Sequence, residues 1–155
     1  MATYDIIALS TAQRELAREA RKSLTGRSPY PFSRSSEELY RSLIAAVQLL
    51  LTTRKFRKLQ ERNPNFRDVQ KATVSLPKNE PLQNDKWETM VVVQLPRGES
   101  AGIVKVLDKI GSSDCQEFIW GPGDACFIPK GWTLMTESEN VVIDMWLFLL
   151  GDQEA

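Results

Sequence analysis

The chain has 155 residues, 42% of them apolar and 26% charged, an ordinary globular composition long enough to bury about two-thirds of the unfolded surface. It contains no histidine, which removes the commonest metal ligand and the usual general base near neutral pH. The formal net charge is zero, yet residues 1–71 carry fourteen Lys and Arg against seven Asp and Glu, and residues 72–155 carry six against thirteen. Halves of opposite sign attract each other, within or between chains, or bring a basic segment to an anionic partner.

Two cysteines, Cys115 and Cys126, without a charged segment leading into an apolar one, point to a cytoplasmic chain with free, buried thiols. The longest nearly uninterrupted apolar run, Val141 to Leu150, holds Asp144 and is far short of a membrane span. No internal repeat is present, and the whole chain reads as a single domain over 1–155.

In chain order, Met1 to Leu9 reads as a short strand or a packed arm. Ser10-Thr11-Ala12-Gln13 offers a capping box, and the spacing of Leu16, Ala17, Ala20 and Leu24 predicts a first helix over about 10–24. Ser28-Pro29-Tyr30-Pro31-Phe32-Ser33 breaks it as an extended loop. A second capping box, Ser35-Ser36-Glu37-Glu38, opens a second helix over about 36–62, with Leu39, Leu43, Ile44, Val47, Leu50 and Leu51 on one face. Its basic end, Arg54 to Arg62, reads first as a solvated helix terminus and second as a phosphate or RNA contact.

After Asn65 the period changes from 3.6 to 2. Candidate strands are Ala72–Leu76, Trp87–Leu95, Gly102–Ile110, Gln116–Trp120, Ala125–Ile128, Thr133–Thr136 and Val141–Leu150. Turn chemistry separates them, including Pro77-Lys78-Asn79-Glu80-Pro81 and Gly121-Pro122-Gly123-Asp124. The expectation is a mainly β jelly-roll barrel over 66–155 with a helical N-terminal cap over 1–65.

The turn from Gly121 to Gly131 resembles the second motif of the cupin superfamily, the double-stranded β-helix proteins. Gly123, Asp124, Pro129 and Gly131 match its structural positions, and its histidine falls on Leu134. The first motif is matched only at Glu88, with Gly98 approximating its closing glycine. That register puts its two histidines on Leu82 and Asn84. The resemblance implies the fold and an interior pocket over about 72–150. Its four ligand positions here carry two leucines, an amide and one carboxylate, which cannot hold a first-row metal, so no metal or other cofactor is expected.

With Glu88 facing inward as the motif implies, alternation turns Met90, Val92 and Gln94 inward and Trp87, Thr89, Val91 and Val93 outward. The outer face is then apolar and needs a cover, from the second helix or from a second subunit in a homodimer of the kind cupins form. The pocket would be lined by Asn84, Met90, Val92, Gln94, Trp132 and Leu134. Glu88 and Asp144 are the candidate acid and base of an isomerase, cyclase or lyase. The plainer role for Asp144 is an ion pair with Arg or Lys of the helical half. Lys105 and Lys130 read as exposed lysines, or as groups neutralising an anionic substrate.

The leading expectation is therefore a metal-independent cupin-like protein binding a small organic molecule in an apolar barrel. The alternatives are a non-catalytic assembly module, in which basic helices dock on an acidic barrel, and an RNA-associated capsid-type jelly roll. Zero net charge and an ordered-looking basic helix count against nucleic acid.

Overall fold

The computed structural model describes residues 6–53, 70–85, 89–96, 104–107, 123–129, 131–139 and 141–148. Glu88, Cys115, Lys130, the basic stretch Arg54 to Arg62 and the strand expected over Gln116–Trp120 lie outside the described residues.

Among the described residues, eight strands and two helices follow in the order β1 (Ile6–Ala8), α1 (Thr11–Lys22), α2 (Arg34–Thr53), β2 (Gln70–Leu76), β3 (Leu82–Gln83), β4 (Thr89–Gln94), β5 (Val104–Leu107), β6 (Asp124–Pro129), β7 (Thr133–Thr136) and β8 (Val141–Phe148). They form an antiparallel sheet of order β1-β6-β4-β8-β2 and a smaller one of order β3-β7-β5. The architecture is the mainly β, double-stranded β-helix type expected, with both helices at the N-terminal side of the chain.

Local chemistry accounts for most element ends. Ser10 caps α1 through a complete capping box: Gln13 N donates to its Oγ, and Ser10 N donates to Gln13 Oε1. In α2 the cap lies earlier than the Ser35-Ser36-Glu37-Glu38 pattern suggests. Ser33 Oγ accepts from Ser36 N at 3.0 Å, and Ser33 O accepts from Glu37 N, so the helix starts at Arg34. Asn79 takes a left-handed φ of 62° in the Pro77 to Pro81 turn, and Gly131 one of 92°. Gly123 does not use that region.

Of the two readings of the first nine residues, a short strand or a packed arm, the strand is the one found: Ile6–Ala8 forms β1, paired antiparallel with β6, while β3 occupies part of what reads as loop. Both are too short for a period of 2 to show. β2, at one edge of the large sheet, is strapped by the loop before α2: Tyr30 N donates to Thr73 O, and Ser75 N donates to Ser28 Oγ.

The large sheet is apolar on both faces, and two clusters divide its alternating residues. Val91, Val93, Phe127, Val142, Trp146 and Phe148 pack on Ala17 and Ala20 of α1 and on Leu39, Leu43 and Val47 of α2. Met90, Val92, Cys126, Ile128, Ile143 and Met145 face the smaller sheet with Leu134 and Val104. The helices thus supply the cover that the outer face of β4 requires. Tyr40 of α2 meets Trp146 edge to face at 5.2 Å.

Leu43, 2% exposed, sits in the cluster that joins helices and sheet. Leu43→Ala is expected to cost roughly 2–5 kcal/mol in urea unfolding. Helical circular dichroism and tryptophan fluorescence should lose their signals in one coincident transition. Separate transitions would mean that helical cap and barrel fold as independent domains.

Candidate functional site

The inner face of β4 is the expected one. Met90 and Val92 lie in the inner cluster, and Gln94, 3% exposed, continues the same alternation opposite Ile143. Leu134 is fully buried there, and Trp132 packs against the cluster, half-buried beside the Gly131 turn.

The ligand positions assigned by the cupin resemblance come together in space. Leu82 of β3 and Leu134 of β7 are direct cross-strand partners, with both side chains on the inner cluster. Asn84 follows two residues after Leu82 and is 1% exposed. Its backbone N donates to Trp132 O at 2.9 Å, its carbonyl accepts from Gly131 N at 2.6 Å, and its Nδ2 donates to Ile128 O at 2.9 Å. Asn84 therefore binds the end of β6 to the turn before β7, a positioning task that a buried amide performs at no desolvation deficit.

Asp144 departs from expectation in two respects. β8 presents Val141, Ile143 and Met145 to the inner cluster, and Val142, Trp146 and Phe148 to the helices. Asp144 belongs to the second set, so it faces away from the barrel interior. Nor does it pair with a basic residue among the described residues. Thr73, its register partner on β2, donates through Oγ1 to Asp144 Oδ1 at 2.5 Å. The hydroxyl of Ser36, in the first turn of α2, acts on the same carboxyl group, yet Ser36 Oγ and Asp144 Oδ2 stay outside hydrogen-bond geometry. Burial pushes the Asp144 carboxyl up to about 6, with the Thr73 and Ser36 hydroxyls opposing that rise. The positive end of the α2 macrodipole offsets part of the remaining charge.

The basic residue near this seam pairs elsewhere. Lys71 Nζ lies 2.8 Å from Glu37 Oε2 and 4.5 Å from the Tyr40 ring centroid. Glu37 and desolvation raise the Tyr40 hydroxyl above its usual range, desolvation being the larger cause. The cleft lined by Phe32, Arg34, Glu38 and Arg41 has its charges matched, since Arg34 meets Glu38 at 3.4 Å and Arg41 meets Glu37 at 3.5 Å.

The described residues at the ligand positions assigned by the resemblance do not suit a metal ion. The ligand positions that can be placed hold Leu82, Asn84 and Leu134, the chain has no histidine, and no metal-holding cluster of His, Cys, Asp or Glu occurs among the described residues. Asn84 Nδ2 points a donor at Ile128 O, not a lone pair at a cation.

No protein-family model matches the chain, and no curated protein matches it in sequence. Solved structures do resemble it. A Pseudomonas putida prolyl-4-hydroxylase superposes with a TM-score of 0.58 at 16% identity, covering 94% of this chain and 92% of that one. The viral collagen prolyl hydroxylase of Paramecium Bursaria Chlorella virus-1, in its 2OG complex, gives 0.53 at 15%, covering 96% and 97%. IDO from Bacillus thuringiensis gives 0.51 at 10%, covering 95% and 93%. Identities this low show a shared fold alone: the chain has the cupin-like double-stranded β-helix architecture.

Because the folded carboxyl of Asp144 titrates near 6 and not near 3.8, the folded state holds its proton more tightly than the unfolded chain does. This group's contribution therefore falls as pH rises from about 4 through 6, by up to roughly 3 kcal/mol. Asp144→Asn keeps an oxygen for Thr73 and offers Ser36 Oγ a donor. Thermal melts should find the variant at least as stable as the parent at pH 7.5, with the advantage vanishing near pH 4. A loss above 2 kcal/mol at pH 7.5 would contradict this account.

Proposed function

We propose that the chain is a metal-independent, cupin-like binding protein that takes a small organic molecule on the inner face of its barrel. The observation that carries this reading is the Leu82–Leu134 pair, which puts packed hydrocarbon at two of the positions where the resemblance expects metal ligands. Met90, Val92, Leu134 and Trp132 favour an apolar ligand, and Gln94 adds one polar group for orientation. In this sense the motif is degenerate: its turns persist and its ligands do not.

The isomerase, cyclase or lyase reading needs two carboxylates in one cavity. Asp144 lies on the opposite side of the sheet, next to Thr73 and Ser36, so it is not part of that site. Glu88 is the carboxylate that the motif register assigns to the pocket, and its role in our proposal is to bind the ligand.

Two measurements test the proposal. Elemental analysis after incubation with iron, manganese, nickel or zinc salts and desalting should find less than about a tenth of an equivalent per chain. A thermal-shift screen of small organic molecules, with hits mapped by amide chemical shifts, should perturb Met90, Val92 and Leu134, and Glu88→Gln should weaken binding at unchanged melting temperature. One metal equivalent per chain, or hits that leave the inner face undisturbed, would refute it.

A further inference from the structure

A half-open cleft of about 490 Å³ lies outside the barrel, between the last turns of α1, the loop that follows it and the large sheet, within the size range of small-molecule sites. Arg18, Arg21 and Lys22 form one side, and among the described residues every charged one that lines it is cationic. Leu24, Tyr30, Pro96 and Val142 form the other side, with Val142 only 3% exposed.

Capping does not account for these cations. The last-turn carbonyls already accept elsewhere: Glu19 O from Ser23 N, Ala20 O from Ser23 Oγ and Arg21 O from Leu24 N. Arg21 Nη1 instead donates to Leu95 O at 3.0 Å, which pins its guanidinium across the gap to the end of β4. Arg18 is 3.1 Å from Glu15 Oε2, but both side chains are about half exposed, so that pair leaves the field at the cleft largely positive. Lys22 has no acidic partner among the described residues. The apolar side is equally fixed, because Tyr30 is held by its N–H on Thr73 O at 2.8 Å and by its hydroxyl, 3.3 Å from Ser75 Oγ.

We propose that this cleft binds an amphipathic organic anion, its carboxylate, sulfonate or phosphate against Arg18, Arg21 and Lys22 and its planar or aliphatic body against Tyr30, Pro96 and Val142. The site is separate from the barrel pocket and stands or falls independently of it.

The probe is 1-anilinonaphthalene-8-sulfonate, titrated by fluorescence and by amide chemical shifts on the full chain. Arg21 is left intact because it bonds the β4 end. The expected result is saturable binding that shifts Leu24, Gly26, Tyr30 and Val142. Affinity should fall roughly tenfold in Arg18→Gln/Lys22→Gln and stay unchanged in the charge-keeping Arg18→Lys/Lys22→Arg. Raising salt from 50 to 500 mM should weaken the parent and leave the neutral double variant little affected. Absence of binding, equal affinity in parent and Gln variant, or shifts confined to Met90, Val92 and Ile143 would overturn the proposal. All these proteins should melt within a few degrees of one another, so that lost affinity is not lost fold.

Discussion

A sheet that is apolar on both faces sets the terms for everything else in this molecule. Every residue of β4 from Thr89 to Gln94 is buried, and β8 is buried at all positions except Leu147, which is only partly exposed. Such strands cannot end at water on either side. One face is closed by the small sheet, giving the barrel, and the other by α1 and α2. The helices are not an appendage, since without them Val91, Val93, Phe127 and Trp146 would meet solvent together.

Polar groups inside this arrangement are few, and their positions limit the chemistry. Asn84 is engaged by the turn it holds, through its backbone and through Nδ2. Asp144 is the expensive one. A carboxyl group in a helix–sheet seam loses most of its hydration, and here it has a single conventional hydrogen bond, from Thr73, in return. The same desolvation that raises its pKa would suit a general acid, but a perturbed carboxyl is useful only where a substrate can reach it. Packed between β8 and α2, Asp144 is better understood as a polar marker of the seam.

Leu82 and Leu134, at two of the positions where the cupin resemblance expects ligands, pair across β3 and β7 and pack in the inner cluster. The charge segregation read along the chain has a local expression at the C-terminal end of α1, where Arg18, Arg21 and Lys22 gather beside an apolar wall contributed by Tyr30, Pro96 and Val142. Their i, i+3, i+4 spacing puts them on one side of α1, whereas the wall draws its residues from three distant parts of the chain.

Features set by short-range rules were legible. The Ser10–Gln13 capping box, the turns at Asn79 and Gly131, and the periods of 3.6 and 2 follow from constraints acting over a few residues, and the inward set Met90, Val92 and Gln94 follows from alternation once the motif register of Glu88 is taken. The cupin resemblance assigned Leu82 and Leu134 to ligand positions in its first and second motifs, and the structure pairs the two across β3 and β7. The cap of α2 was misread because several serines compete for it within four positions, and β1 and β3 are strands only through their pairing. The face of Asp144 was beyond sequence for a sharper reason. Val141 to Phe148 is apolar on both sides, so alternation sorts its residues into two sets but carries no polar contrast to say which set looks into the barrel. Only the stacking of one layer on β8 and the other layer against its back could assign Asp144 to the helices.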